Sequence, residues 1–238
     1  IIRLLDLYGA GRCFWCMSQA MKAVFLEQFA RIGKALSSPS RLALLDLLCQ
    51  SEKTVETLVA QSNLTLKNAS AQLRVLREAG LVRARKDGKY VYYSISDEKV
   101  AAFWSNLQDF SSRQLADLQK ITAKLISEPE ALTAVDRKEL LSRARKEEVI
   151  VLDVRPKDEY DSAHLPYAIS LPLEELKAKL KQIPKHKEIV AYCRGPYCLL
   201  AVEAVRFLKS KGYKAIRLDD GVQEWKAAGL PLHNHRAD

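Results

Sequence analysis

The sequence predicts two domains, a mainly α first half with one β-hairpin and an α/β second half with a mainly parallel sheet. Three observations predict it. Up to residue 126 the apolar residues recur at helical spacing, except in one alternating stretch around Asp87-Gly88. From residue 149 onward, short apolar runs alternate with helical patterns, the rhythm of βαβ units. Between them the segment 127–135 (SEPEALTAV), with Pro129, interrupts both patterns. The 238 residues suffice for two small domains, since a domain takes roughly 100–200. Apolar residues at 48% and charged residues at 28% are the balance of a globular chain. No apolar run reaches the ~18 residues of a membrane span, so no membrane partner is expected. The expected division is a leader at 1–20, a first domain at 21–126, a linker at 127–135, a second domain at 136–232 and a tail at 233–238.

The leader, IIRLLDLYGAGRCFWCMSQA, is broken by Arg3, Asp6 and Arg12 and makes a poor secretory signal. Met17 and Met21 are both candidate starts, so the leader reads as an upstream extension. Cys13 and Cys16 form a C-x-x-C there, half of a zinc or redox site on paper. No second pair stands at zinc-finger spacing, although His233 and His235 lie in the tail, so no metal or other cofactor is expected. Five cysteines without regular spacing argue against a disulfide scaffold and for a reducing, cytoplasmic setting.

Helices are expected at 22–36, 40–49, 54–61, 66–79 and 98–126. Thr54 and Thr65 are good N-caps, and the turn Gln61-Ser62-Asn63-Leu64 joins two of these helices into a helix–turn–helix. The second helix offers Lys67, Asn68, Ser70, Ala71, Gln72 and Arg74, side chains that pair with base edges or hold phosphates. Leu66, Ala69, Leu73 and Leu76 form its core stripe. The hairpin LVRARKDGKYVYYSIS follows, its tip carrying Arg83, Arg85, Lys86 and Lys89. Helix plus basic hairpin make a winged helix–turn–helix. Residues 21–126 hold 16 Lys and Arg against 10 Asp and Glu, an excess of +6, which points to double-stranded DNA as the partner.

Arg41-Leu42 with Leu44-Leu45, the run Leu73-Arg74-Val75-Leu76-Arg77-Glu78-Ala79-Gly80-Leu81-Val82, and Gly88, Tyr90 and Tyr92 of the wing resemble the arsenic-repressor (ArsR) family over about residues 22–125. The resemblance implies a homodimeric repressor, paired through its first and last helices on a two-fold operator. The apolar stripe Val100, Phe103, Trp104, Leu107, Phe110, Leu115, Leu118, Ile121 and Leu125 is compatible with such pairing. The family's metal-sensing cysteines do not carry over. Thr54-Val55-Glu56-Thr57 stands in their place, all four His lie beyond residue 126, and Cys49 is the lone Cys of this domain.

In the second half, strands are expected at 149–154, 168–171, 188–192 and 214–218, with helices at 136–146, 157–161, 173–182, 198–210 and 222–228. Parallel sheets place their sites beyond the C-terminal ends of strands. Two ends are polar there, Asp153-Val154-Arg155 and the run Cys193-Arg194-Gly195-Pro196-Tyr197-Cys198. Cys193 ends a strand and enters a loop that opens a helix. Backbone N–H groups and the helix N-terminus should lower its pKa, and residues 194–198 would cradle a persulfide sulfur or a donor's oxyanion. Arg194 should add a cation. Asp153 and Arg155 read as an ion pair under the site, and His164 as a turn-fixing hydrogen bonder. Cys198 is either a second thiol able to attack a Cys193 persulfide or a helix residue facing the core.

Leu152-Asp153-Val154-Arg155, Glu159-Tyr160, Ala163-His164-Leu165-Pro166-Tyr167-Ala168, Cys193 with its loop, and Asp220-Gly221 with Trp225 and Gly229-Leu230-Pro231 resemble the rhodanese family over about residues 136–232. The resemblance implies that Cys193 accepts sulfane sulfur from thiosulfate or polysulfide. Ala163 and Tyr167 stand where glycines are usual. Leu199, six positions after Cys193, is not the Arg that clamps the oxyanion in phosphate- or arsenate-handling relatives. Two functions follow as expectations. One is a repressor gated by Cys193 persulfidation. The other is a thiosulfate or polysulfide sulfurtransferase that the DNA-binding half only tethers. A third reading keeps the second half as an inactive scaffold.

Overall fold

The computed structural model describes residues 14–126 and 136–234, with side chains from residue 21 onward. Cys13, Cys16, the linker 127–135 and His235 lie outside the described residues or side chains. The first half runs α1 (Phe14–Leu36), α2 (Pro39–Gln50), β1 (Lys53–Thr54), α3 (Val55–Ser62), α4 (Leu66–Glu78), β2 (Val82–Asp87), β3 (Tyr90–Ile95), α5 (Glu98–Gln114) and α6 (Ala116–Leu125). Pro39 opens α2, where its missing N–H costs nothing. Thr54 and Thr65 cap α3 and α4 by accepting the amides of Thr57 and Asn68, each at 3.3 Å. Asn63 turns the chain between them in the left-handed region, φ +54°.

Leu44, Leu45, Leu58, Leu73 and Leu76 are wholly buried in one core. Two expectations change. Leu66 is 52% exposed, because the first turn of α4 overhangs the core instead of facing it. The expected helix 98–126 is two helices, broken where Leu115 is extended (φ −105°, ψ 100°). Gln119 turns back to give its side-chain N–H to Ser112 O at 2.9 Å, occupying a carbonyl that the break leaves free. The strand β1 has no signature in the sequence. It adds two residues to the wing, in the order β1-β3-β2, with Lys53 opposite Tyr93.

The second half runs α7 (Arg137–Arg145), β4 (Val149–Asp153), α8 (Lys157–Ser162), β5 (Ala168–Ser170), α9 (Leu173–Lys179) with a 3₁₀ turn at Leu180–Gln182, β6 (Glu188–Tyr192), α10 (Leu199–Ser210), β7 (Ala215–Arg217) and α11 (Val222–Ala227). The sheet is parallel throughout, in the order β5-β4-β6-β7. Central strands β4 and β6 are buried on both faces, which is why they read as unbroken apolar runs. Tyr167 holds φ +63°, the left-handed backbone that explains a glycine preference at that turn. His164 fixes the same turn. Its Nδ1 lies 2.8 Å from Tyr160 O, and its backbone pairs with His233.

Candidate functional site

The ends of β4 and β6 lie side by side, with Asp153 opposite Tyr192. Asp153 and Arg155 are fully buried and paired at 2.6 Å, Arg155 Nη2 to Asp153 Oδ2. Tyr192 gives its hydroxyl to the same oxygen at 2.5 Å, and Arg155 also donates to Ala163 O at 2.7 Å. Each charge therefore has its partners, the condition for burying it.

Beyond this floor, Cys193 ends β6 and the loop 194–198 leads to Cys198, the N-cap of α10. Gly195 has φ +131°, and a Cβ there would lie 3.0 Å from Glu224 Oε2. A Cβ on Gly221 would come within 2.6 Å of Arg194 C, so this glycine lets two backbones touch. Glu224 holds Gly221 N at 2.8 Å, and Arg217 donates to Pro196 O at 3.3 Å.

Cys193 is 1% exposed, and its Sγ donates to Cys198 O at 3.4 Å. The charge distribution differs from the expectation. Burial, then the hydrogen bond to Cys198, push the Cys193 thiol well above its ordinary range. Cys198 is lowered to about 7, chiefly by the hydrogen bond from Cys193, against the cost of its own burial. Backbone N–H groups act on both sulfurs, those of Gly195 and Ala201 on Cys193 and those of Arg194 and Leu200 on Cys198, and each pulls its thiol down; at Cys193 burial outweighs them. Cys198 accepts a hydrogen bond from its neighbour and has Arg194 beside it, while Cys193 is walled in by core atoms.

Arg194 stands beside Cys198 as a cation and is itself paired. Its fork grips Glu159, Nη2 to Oε1 at 2.7 Å and Nε to Oε2 at 3.0 Å. Glu159 is fully buried, and its Oε1 also meets Lys53 Nζ at 3.1 Å. Lys53 belongs to β1 of the winged half. Its side chain is wholly buried, and it reaches Asp158 Oδ2 at 2.6 Å as well. Burial alone would raise Asp158, but the Lys53 hydrogen bond overcomes it and holds the carboxyl below its ordinary range. Arg155 reaches Gln50 Oε1 at 3.3 Å, and Gln223 donates to Cys49 O at 2.5 Å. The two halves therefore meet at the thiol loop.

A cavity of about 270 Å³ lies at that meeting. Leu42, Ala43 and Asp46 of α2, Trp104 and Gln108 of α5, and loop residues 194–198 line it. Cys198 faces the cavity and Cys193 does not. Asp46 accepts Trp104 Nε1–H at 2.9 Å, and burial pushes its carboxyl up against that bond. Lys53, Glu159, Asp46 and Trp104 were not singled out from the sequence as site residues. No local motif marks them, because they meet only when the domains dock. Cys49 is buried, and burial pushes its thiol up to about 12.

In the winged half, Lys67, Asn68, Ser70, Ala71 and Arg74 of α4 are exposed. Gln72 is half-buried and committed inward. It accepts Arg41 Nη1 at 2.8 Å and donates to Asn68 at 3.0 Å. In the wing, Arg85 is held by Glu52 at 2.7 Å and Asp87 at 3.0 Å and lies over Tyr92. Arg83 donates to Ser94 at 3.0 Å, while Lys86 and Lys89 are exposed at the tip. Among the described residues no group of three or more His, Cys, Asp or Glu is placed to hold a metal ion.

A winged helix–turn–helix with an exposed polar recognition helix, joined to a parallel sheet that ends in a thiol loop, defines a DNA-binding transcriptional regulator with a rhodanese-like domain. Comparison with known proteins agrees. Residues 38–84 match the family of bacterial regulatory proteins called arsR, and residues 136–228 match the rhodanese-like domain. The HTH-type transcriptional regulator Rv0324 of Mycobacterium tuberculosis is 44% identical over 211 residues, 89% of this chain and 92% of that one. The chain belongs to the arsR family of transcriptional regulators, in a form that carries a rhodanese-like domain. A sulfurtransferase of Allochromatium vinosum is 30% identical over 100 residues, 41% of this chain and 92% of that one. The homodimeric winged helix-turn-helix DNA-binding domain of a possible ArsR-family regulator from Mycobacterium bovis is 39% identical, over 45% of this chain and 94% of that one, with a TM-score of 0.39.

Proposed function

We propose that the protein is a homodimeric, cytoplasmic repressor whose two cysteines, Cys193 and Cys198, take up sulfane sulfur and thereby change its affinity for a two-fold operator. The single observation that carries this reading is the buried chain from Arg194 through Glu159 to Lys53, which ties the thiol loop to the wing sheet. A thiolate attacks the outer sulfur of a polysulfide or thiosulfate, its S–S bond breaks, and the shortened polysulfide (sulfide, from the two-sulfur member) or sulfite leaves. If Cys198 holds a thiolate and Cys193 a persulfide, attack on the inner sulfur gives the disulfide and releases HS⁻. Either product adds bulk or a bond inside a packed loop, so Arg194 must shift and take Glu159 and Lys53 with it. Lys67, Asn68, Ser70, Ala71 and Arg74 are proposed to meet the major groove, with Lys86 and Lys89 on the adjacent phosphates. Gln72, Arg83 and Arg85 serve in support, since the protein already engages them, while Arg74 gives only its Nε to Glu78 at 2.8 Å and keeps its other guanidinium nitrogens for the DNA.

The test is DNA-binding anisotropy on the gene's own upstream region, at fixed salt, with reduced protein and then with polysulfide or thiosulfate. Donor should weaken binding of the native chain and leave the Cys193→Ser variant bound. A variant that still responds overturns the mechanism. A second reading, a sulfurtransferase tethered to DNA, is favoured by the relative named for that activity and by a Cys198 that faces a cavity. Steady turnover at a rate indifferent to operator DNA would select it.

A further inference from the structure

We infer that the cavity between α2, α5 and the thiol loop binds a low-molecular-weight, amine-bearing hydropersulfide, R–S–SH, and that Cys198 receives its outer sulfur first. The inference deepens the sulfur reading and rests on it, naming the donor and the entry thiol.

Size sets the first limit. The cavity holds about 270 Å³ and is closed on one side by α2 and α5. This is below the ~300–1,000 Å³ of ordinary ligand pockets, so it admits a small molecule and not a carrier protein's loop. Access sets the second. Cys198 lines the cavity, whereas Cys193 lies behind it at 1% exposure. A donor in the cavity meets Cys198 before it meets Cys193.

Charge sets the third. Arg194 lines the cavity, but Glu159 takes its fork and Lys53 is balanced by Asp158. Asp46, the other charged side chain of the lining, has no salt-bridge partner among the described residues. A dianion such as thiosulfate would bring like charge beside that carboxylate. An ammonium would be drawn to Asp46, whose Oδ1 is engaged by Trp104 and whose Oδ2 is left for it. Leu42, Ala43 and the Trp104 ring give the donor's carbon chain an apolar wall.

The transfer balances. The Cys198 thiolate attacks the outer sulfur of R–S–SH and the donor's S–S bond breaks. R–S⁻ leaves and takes a proton from water, and Cys198–S–SH remains. The Cys193 thiol then loses its proton as it attacks the inner sulfur. That step forms the Cys193–Cys198 disulfide and releases HS⁻.

The reduced full-length chain is treated with the hydropersulfides of cysteamine and of mercaptoacetate, similar in size and opposite in charge, and with thiosulfate. Intact mass and peptide mapping follow loading over time. Cysteamine hydropersulfide should load about tenfold faster than its anionic counterpart, the scale of one opposite charge nearby, with sulfur first on Cys198. Asp46→Asn keeps the acceptor for Trp104 and should bring the two rates together. Ala43→Phe, at an exposed helix position, should fill the cavity and slow cysteamine hydropersulfide. Equal rates for the three donors in the native chain, no loading by any of them, or sulfur reaching Cys193 at an unchanged rate in Cys198→Ser would overturn the inference. Operator affinity of the loaded protein is read separately. Selective loading with unchanged affinity sinks the sulfur-gated repressor and leaves the site standing. Changed affinity without charge selectivity does the reverse.

Discussion

At the scale of single residues, the division of labour between two thiols is the main result. A buried thiol is a poor acid because its thiolate loses hydration, and Cys193 has almost none to keep. It is therefore a good donor to its neighbour, and Cys198 becomes the stronger acid. Alkylation of the reduced protein with iodoacetamide should label Cys198 first, with a rate that rises through about pH 7. Above that pH the thiolate dominates, and below it the thiol does. In Cys193→Ala the donated hydrogen bond is gone, so the midpoint should move up toward the ordinary thiol value of 9.0. Peptide mapping that finds Cys193 labelled first below neutral pH would place the charge on the inner sulfur and reverse this assignment. Cys49, pushed to about 12 by burial, supplies the unreactive reference within the same chain.

At the scale of elements, the coupling rests on a two-residue strand. Lys53 is buried without exposure between Asp158 and Glu159, and β1 fixes its backbone to β3 of the wing. Removing one member of a buried, hydrogen-bonded charge set costs about 3 kcal/mol, at the low end here because Glu159 keeps Arg194. Lys53→Met should lower thermal stability accordingly and uncouple operator affinity from sulfur donor, while donor still loads the cysteines. The pH dependence has a defined sign. Asp158 is held below its ordinary range when folded, so its pairing stabilises the fold above that range and is lost as the pH falls through it. Native protein should lose stability on acidification more steeply than Lys53→Met, and parallel acid-unfolding curves would remove Lys53 from the coupling. The sequence made much of this scale legible. The helix–turn–helix caps, the Asp87-Gly88 hairpin and the four parallel strands all have local signals, in capping hydroxyls, turn residues and periodicity. Lys53 had none. A lysine between two polar residues reads as solvated surface until a second domain covers it. The break at Leu115 was hidden for a related reason, since apolar spacing continues across it and only the Gln119 side chain reveals the kink. Asp46 and Trp104 read as helix residues with no special chemistry, because their partner loop lies roughly a hundred residues away or more in the chain.

At the scale of the whole molecule, the proposed homodimer has candidate faces in the exposed apolar side chains of the winged half. Phe25 and Phe29 on α1 are 59% and 68% exposed, and Phe110 on α5 is 62% exposed. Leu115, at the break, and Ile121 on α6 are 55% and 53% exposed. A monomer would leave several large side chains in water, each worth roughly 1.5–3 kcal/mol on full burial. Pairing α1 and α5–α6 across a two-fold axis, as proposed, would remove that cost and would set two recognition helices about one DNA turn apart, roughly 34 Å. The same helix α5 presents Trp104 and Gln108, one turn apart, to the thiol-loop cavity and Phe103 and Phe110 to the outside. A molecule in the cavity therefore bears on the helix that would form the dimer, a second mechanical route from sulfur to DNA beside Lys53. Placing Glu at both Phe29 and Phe110 should give a folded monomer by sedimentation velocity. Its far-ultraviolet circular dichroism should match the native chain, since neither side chain is in the core. Operator affinity should fall by at least two orders of magnitude, because half-site binding forfeits one recognition helix and its phosphate contacts. Cys198 should still accept sulfur in that monomer, since the cavity is built within one chain. A double variant that remains dimeric would move the interface to another face and take the α5 route with it, leaving Lys53 as the link.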